Sequence, residues 1–140
     1  MDIVRRNTDY ALRMMINLAR NNNNEPASAR KLSVQEKVPY QLACKLLQRL
    51  QKTKLIKSTM GPRGGFFLSK EPGKITLLDI IEAIQESLSL NRCMLAKFKC
   101  PKQKTCTIRP KLSELQEYIG TYLNNITLAE LAGKKMKDKK

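Results

Sequence analysis

The sequence predicts a mainly α-helical protein: a winged helix-turn-helix with a small β-hairpin wing and a long C-terminal dimerisation helix. Three observations predict this fold class. Two helical segments flank a proline break within residues 28–52, which is typical of a helix-turn-helix. A glycine-rich turn lies between two short apolar runs within residues 55–69. From Leu112 onward, apolar residues recur at spacings of three and four, which predicts one long amphipathic helix.

The first helix is predicted over residues 7–20. Asn7 or Thr8 can cap its start, and Asp9 lies in the first turn, where a negative charge suits the helix dipole. One apolar stripe of this helix consists of Tyr10, Met14 and Leu18.

The helix-turn-helix follows. Ser28 can cap a short helix that runs roughly to Lys37, and Pro39 ends it because proline lacks an amide proton and restricts the residue before it. A third helix is predicted from about Tyr40 to Lys52, and it is amphipathic. Its apolar positions are Leu42, Ala43, Leu46, Leu47 and Leu50. Its other face carries Tyr40, Gln41, Cys44, Lys45, Gln48 and Lys52.

A β-hairpin is predicted directly after this helix. Residues 55–59 and 66–69 form its strands, and the glycine-rich residues 61–65 form the turn. A hairpin in this position is a wing. Thr76 can cap a fourth helix, roughly over residues 77–88, and residues 127–130 fit a capping box for a last short helix. The intervening apolar seam consists of Leu112, Leu115, Ile119, Tyr122 and Ile126.

The charge of the chain points to a polyanionic partner. The net charge is +15, and residues 29–70 hold ten basic residues against one acid, a local +9. A basic helix in the major groove can read base edges while lysines neutralise phosphates, and an arginine in a glycine-rich wing suits the minor groove. The alternative is a merely solvated face and a tight turn. The predicted DNA-binding residues are Ser28, Tyr40, Gln41, Lys45, Gln48, Lys57, Arg63, Gly64 and Gly65.

Three cysteines are gathered in one basic segment. Cys93, Cys100 and Cys106 are separated by six and five residues, and seven basic residues but no acid lie within residues 92–111. The spacing lacks the C-x2-C knuckles of structural zinc sites, and the chain has no histidine. Iron–sulfur clusters are held by thiolates, so this pattern favours a cluster over zinc, a thiol switch or no ligand.

Three thiolates leave one coordination position open. The fourth ligand must then be a carboxylate, Cys44, an external thiol or water. Asp9 is one such carboxylate, although an acid in a helix's first turn is common for dipole reasons alone. Cys44 lies on the predicted DNA face, and this position is more typical of a small residue in a helix than of a cluster ligand.

These features together resemble the winged-helix iron–sulfur regulators of the IscR and NsrR type, the bacterial Rrf-two family. The resemblance covers the chain to about residue 132. It rests on TDYALR (8–13), VPYQLACKLLQRL (38–50), GPRGGFFL (61–68), ITLLDIIEAI (75–84), the cysteine triplet and YLNNITLAELA (122–132). It implies a homodimer on double-stranded operator DNA, with cluster ligands Cys93, Cys100 and Cys106 and a dimerisation helix at about 111–125.

The departures bear on the cluster. IscR-like members use a histidine three residues after the last cysteine, and Arg109 stands there in this chain. NsrR-like members use an aspartate of the partner subunit, in a motif that Thr8 and Asp9 match. This match favours Asp9 of the partner subunit as fourth ligand and the 4Fe–4S form over the 2Fe–2S form.

The expected organisation follows. We expect residues 1–73 to form the winged helix-turn-helix DNA-binding domain, residues 74–132 the cluster-binding loop and dimerisation helices, and residues 133–140 a basic disordered tail. We expect a cytoplasmic transcriptional regulator, neither an enzyme nor a membrane protein, whose operator affinity a cluster controls in response to iron–sulfur status, nitric oxide or redox stress. A regulator using thiol oxidation or a metabolite is the alternative, and an electron carrier is a further one.

Overall fold

The fold is built mainly from helices, with one antiparallel hairpin. The structure is a computed structural model and describes residues 4–85 and 105–133. The elements are α1 (Arg6–Arg20), α2 (Ala29–Glu36), α3 (Tyr40–Lys52), β1 (Ile56–Thr59), β2 (Gly65–Leu68), α4 (Leu77–Gln85), α5 (Ile108–Asn124) and α6 (Leu128–Leu131). The predicted mainly α-helical winged helix-turn-helix with a long C-terminal helix is confirmed, and the role of that helix in dimerisation stays a prediction. The predicted end of the fourth helix lies outside the described residues.

The helix-turn-helix begins and ends at the predicted signals. The Ser28 hydroxyl accepts a hydrogen bond from the Lys31 N–H at 3.0 Å and so caps α2. Lys37 ends α2 in the left-handed conformation, with φ of 56°. Pro39 then precedes the first residue of α3, Tyr40. The short turn therefore places α3 directly against α2, as the sequence predicts.

The start of α1 differs from its prediction. Arg5 is the N-cap and makes no side-chain capping bond, so the prediction of Asn7 or Thr8 as the cap was wrong. Thr8 is fully buried inside α1, and its hydroxyl donates to Gln85 Oε1 at 2.6 Å. The physical reason is a tertiary contact: the first turn of α1 lies against the end of α4, and the threonine hydroxyl bonds to that helix.

The wing is attached to the chain that precedes α2. The two strands pair in register from Ile56 with Leu68 to Thr59 with Gly65. A bridge between Ala27 and Phe66 extends the sheet, with reciprocal backbone hydrogen bonds of 2.9 and 2.8 Å. This bridge fixes the base of the wing relative to the start of α2.

The predicted caps of the later helices are present. Thr76 Oγ1 accepts from the Asp79 N–H, and Asp79 Oδ2 accepts from the Thr76 N–H, both at 3.0 Å. This reciprocal pair is a capping box for α4. Thr127 Oγ1 accepts from the Glu130 N–H at 3.2 Å and caps α6.

Backbone hydrogen bonds join the segment at the start of α4 to the segment that follows α5. The Leu77 N–H donates to the Ile126 carbonyl at 2.8 Å, and the Leu128 N–H donates to the Ile75 carbonyl at 2.7 Å. The start of residues 77–126 and their end therefore lie side by side.

One hydrophobic core joins the helices on both sides of the predicted boundary at residues 73 and 74. Buried side chains from before and after this boundary belong to the same cluster, so the described residues fold around a single core. The division at residues 73 and 74 therefore stays a prediction about which part binds DNA and which part holds the cluster. The largest buried members include Met14, Met15, Leu18, Leu32, Leu46, Leu47, Leu50, Ile56, Ile75, Ile80 and Leu128.

Candidate functional site

The outer face of α3 is polar and exposed. Gln41, Lys45 and Gln48 are exposed, and 42% of Tyr40 is accessible at the first residue of the helix. The opposite face is buried through Ala43, Leu46, Leu47 and Leu50. The core therefore holds α3 by one face and leaves the predicted reading residues on the other, in the arrangement that a recognition helix needs.

The wing presents further exposed basic side chains. Lys57 is exposed on β1, and Arg63 is exposed in the turn. An open groove of about 570 Å³ lies between the wing turn and the start of α2, and its walls include Ser28, Lys31 and Arg63 together with the acid Glu25. Three predicted DNA-binding positions, Ser28, Arg63 and Gly64, thus line one groove.

Both wing glycines have a packing reason. A Cβ at Gly64 would lie 2.3 Å from the Thr59 carbonyl oxygen. A Cβ at Gly65, where φ is +153°, would lie 2.5 Å from the Ala27 carbonyl carbon. Any side chain at either position would collide with backbone, so close packing of the wing suffices to require glycine. Contact of these glycines with DNA stays a prediction.

An arginine that the sequence prediction missed lies against the recognition helix. The Arg30 guanidinium lies over the Tyr40 ring, 4.3 Å from its centroid. Arg30 belongs to the first turn of α2, and Tyr40 opens α3. A basic residue near the positive end of a helix is the only sequence signal that could have singled out Arg30.

The last described turn of α4 receives three hydrogen bonds from distant elements. Arg49 Nη1, on α3, donates to the Ile84 carbonyl at 2.6 Å. Gln85 Oε1 accepts from the Thr8 hydroxyl at 2.6 Å and from the Arg5 N–H at 3.2 Å. This turn, which precedes the cysteine-bearing segment in the sequence, is thereby bonded to the recognition helix and to the start of α1.

Only one of the three clustered cysteines lies in the described part. Cys93 and Cys100 lie outside the described residues. Cys106 is half-buried just before α5, and its sulfur accepts a hydrogen bond from the Arg109 N–H at 3.4 Å. Backbone N–H groups directed at cysteine sulfur stabilise thiolate ligands and tune iron–sulfur clusters, so this environment fits the proposed ligand role.

The two other possible ligands occupy different surroundings. The Asp9 carboxylate is half-exposed on α1 and forms an ion pair with Arg13 at 3.0 Å, so it is accessible from outside the protomer. Cys44 is a free, half-buried thiol on α3. Ligation by either residue stays a prediction.

The long helix α5 has an uncovered apolar face. None of its 17 residues is buried. Within the predicted seam, Leu112, Ile119 and Ile126 are half-buried, whereas Leu115 and Tyr122 are exposed. The exposed apolar side chains of this helix are Ile108 (65% accessible), Leu115 (47%), Tyr118 (70%) and Tyr122 (61%). The sequence prediction missed Ile108 and Tyr118, although Ile108, Leu115 and Tyr122 recur every seven residues.

The fold and the exposed basic face define a winged helix-turn-helix regulator of transcription. Comparison with known families agrees and is more specific. A family model described as "Rrf2: Iron-dependent Transcriptional regulator" matches residues 4–134. The chain belongs to this family, the Rrf-two family to which its sequence bears resemblance. It is therefore a transcriptional regulator and not an enzyme.

Curated relatives carry the same kind of name. The chain is 33% identical over 122 residues to the HTH-type transcriptional regulator IscR of Klebsiella pneumoniae, which covers 87% of this chain and 74% of the relative. IscR of Cronobacter sakazakii is 32% identical over 122 residues, which cover 87% of this chain and 75% of that relative.

A search of residues 4–85 and 105–133 for membrane-spanning helices found none with the required length and hydrophobicity.

Solved structures share the fold. CymR, "the Global Cysteine Regulator of B. subtilis", is 25% identical with a TM-score of 0.74, over 96% of this chain and 98% of CymR. T. potens IscR is 24% identical with a TM-score of 0.71, over 98% of this chain and 88% of that chain. The same architecture therefore carries regulators with two different names, and the fold alone does not identify the signal.

Proposed function

We propose that this regulator is a homodimer whose affinity for operator DNA is controlled by an iron–sulfur cluster. The observation that carries the proposal is the position of Cys106. Its sulfur accepts the Arg109 N–H at the beginning of α5, the helix with the exposed apolar face. A cluster held by this thiolate would be attached at the start of the helix that we propose joins the two subunits.

The DNA-binding part of the proposal rests on α3 and the wing. Gln41, Lys45 and Gln48 are exposed on one helix face and can enter the major groove, while Arg63 reaches out from the wing. The surrounding positive charge supplies affinity for phosphates, and this affinity falls as salt rises because counterions are released on binding.

The dimer rests on α5. A surface helix that exposes four large apolar side chains at helical spacing gains free energy when they leave water. Residues 112–133 contain three glutamates but no Lys or Arg, so this segment disfavours contact with DNA. A two-fold pairing of α5 would place the two recognition helices at a fixed separation along the duplex.

The cluster would be held by Cys93, Cys100 and Cys106, with Asp9 of the partner subunit as the fourth ligand. When bound, the cluster supplies a redox- and nitric oxide-sensitive centre. The carboxylate of Asp9 is half-exposed, is paired with Arg13, and lies one residue beyond Thr8, which is bonded to Gln85. A carboxylate ligand in place of histidine favours the 4Fe–4S form by the resemblance to NsrR-like regulators.

Control of DNA affinity would pass through the last described turn of α4. Gln85, which precedes the cysteine-bearing segment in the sequence, is bonded to Thr8 on α1, and Ile84 is bonded to Arg49 on α3. A change in how the cysteines are held moves this turn and shifts the angle of α3. Operator half-sites have a fixed spacing, so a small rotation of each subunit changes affinity for both half-sites together.

The test is anaerobic purification with iron and sulfide analysis, absorption in the roughly 320–420 nm range of thiolate-to-iron transitions, and operator binding at fixed salt. We expect bound iron and sulfide, their loss in Cys100→Ala, and an affinity change of about 5- to 150-fold between cluster-bound and cluster-free protein. Equal affinity in both states, or protein that stays iron-free after reconstitution, contradicts the proposal.

A second candidate function is a cluster-independent thiol or metabolite response. The likeness to CymR, whose printed description is a global cysteine regulator, favours it. In this case iron-free protein binds the operator and loses affinity on mild oxidation or on addition of cysteine. Colourless protein with such a response supports this alternative, since zinc and bare thiols do not absorb in the visible range.

A further inference from the structure

The contact between Arg30 and Tyr40 joins the two helices of the helix-turn-helix on their exposed side. The guanidinium carbon lies 4.3 Å from the ring centroid, well within the range of a cation–π interaction. Both residues are exposed, and Tyr40 retains 42% of its accessible surface. The pair therefore stacks at the surface and leaves the free edges of both side chains open.

Arg30 does not stabilise its own helix. It lies in the first turn of α2, where the helix dipole disfavours a positive charge. Among the described residues it forms no ion pair with a carboxylate. Among the described residues, its guanidinium contacts the ring of Tyr40 instead. The position of this charge is therefore unfavourable in the isolated protein and favourable beside a polyanion.

Tyr40 occupies the place from which recognition helices read sequence. It is the first residue of α3, and the N-terminal residues of such helices contact base edges. A tyrosine at a helix start can rotate about its side-chain bonds, and each orientation directs its hydroxyl to a different point in the groove. A planar cation over one ring face favours one of these orientations, by about two- to fivefold for an exposed pair.

We propose that Arg30 is a positioning residue for sequence recognition in double-stranded DNA. Its guanidinium plane holds the Tyr40 ring at the entrance of the recognition helix, and its outward N–H groups bind a backbone phosphate. The proposal rests on the DNA-binding part of the proposed function and is independent of the cluster. Arginine is required because lysine carries the charge but has no plane to stack on the ring.

The experiment separates charge from stacking. The probes are a labelled duplex, selected by the wild-type protein from a random-sequence pool, and a scrambled duplex of equal length. Arg30→Lys is expected to lower the ratio of selected to scrambled affinity about two- to fivefold while keeping the salt dependence. Arg30→Ala is expected to lower the same ratio and also to reduce the salt slope by about one.

A double-mutant cycle assigns the loss to the ring. In a Tyr40→Leu background, Arg30→Lys is expected to cause no further loss of selectivity, because the ring that it acts upon is gone. Arg20→Lys is the matched control, since Arg20 donates to the Ala132 carbonyl on another part of the protein. Its selectivity is expected to equal that of the wild type, and thermal unfolding verifies that all variants fold.

The outcomes distinguish this inference from the proposed function. A wild-type protein that selects no duplex overturns DNA binding by this surface. A selective wild type whose Arg30→Lys variant keeps the full affinity ratio overturns the positioning role alone. An equal loss for Arg30→Lys with and without the Tyr40 ring would show that Arg30 acts through some other contact, which also overturns it.

Discussion

The helices α3 and α5 are both amphipathic, yet they differ in how much of their apolar face is buried. Four of the 13 residues of α3 are buried, whereas none of the 17 residues of α5 is buried. The apolar face of α3 meets α1, α2 and α4 within the same chain, while α5 turns Leu115 and Tyr122 to the solvent. An apolar stripe predicts burial, and among the described residues α3 obtains this burial within its own chain whereas α5 does not.

The largest expected effects come from replacing leucine by alanine in α3 and, in a separate variant, in α5. Leu47→Ala removes a fully buried side chain, and we expect it to lower the free energy of unfolding by roughly 2–5 kcal/mol. Leu115→Ala removes a half-exposed side chain, and we expect it to raise the dimer dissociation constant by roughly fivefold or more. Denaturant unfolding and sedimentation at several protein concentrations measure the two quantities.

The concentration dependence decides the comparison. The loss in Leu47→Ala should be the same in dilute and concentrated protein, whereas the effect of Leu115→Ala should appear only near the dissociation constant. If Leu115→Ala leaves self-association unchanged, the exposed face of α5 is not the dimer interface.

A smaller effect tests how tightly the wing packs against the chain that precedes α2. In Gly65→Ala the new methyl group would lie 2.5 Å from the backbone of Ala27, and the left-handed φ adds strain. We expect a loss of about 1–3 kcal/mol in thermal or denaturant unfolding. Gly73→Ala is the control, because a Cβ there meets nothing within 4 Å. Equal stability of the two variants would mean that the wing moves aside freely.

The smallest effect tests the connection between the two regions. Arg49→Met removes the hydrogen bond to the Ile84 carbonyl and retains most of the apolar stem. Because Arg49 is exposed, we expect a loss of only about 1 kcal/mol in stability. The operator affinities of cluster-bound and cluster-free protein should nevertheless become more alike, as measured by titration of labelled duplex. An unchanged ratio would exclude this hydrogen bond as a route of control.

Local rules predicted the helix-turn-helix well. Ser28 and Pro39 act through their own chemistry, so the starts of α2 and α3 follow from neighbouring residues alone. The hairpin was also predicted to within a residue, because the glycines allow the turn and the flanking runs favour strands. Each of these features depends on residues close in sequence.

Contacts between distant residues could not be predicted. Thr8 has the chemistry of an N-cap, and only the packing of α1 on α4 shows that its hydroxyl bonds to Gln85 instead. The spacing of α5 revealed an apolar stripe, but α4 half-covers one side of it and so moves the open face towards Tyr118. The pairing of Arg30 with Tyr40 requires the angle between two helices, which no periodicity specifies.

The backbone bridge between the chain before α4 and the chain after α5 has an evolutionary consequence. Because both ends of residues 77–126 are fastened at one point of the core, the chain between α4 and α5 can gain, lose or exchange residues while this anchorage stays the same. A lineage could thus retain one DNA-reading unit and fit it with successive detectors for different chemical stimuli.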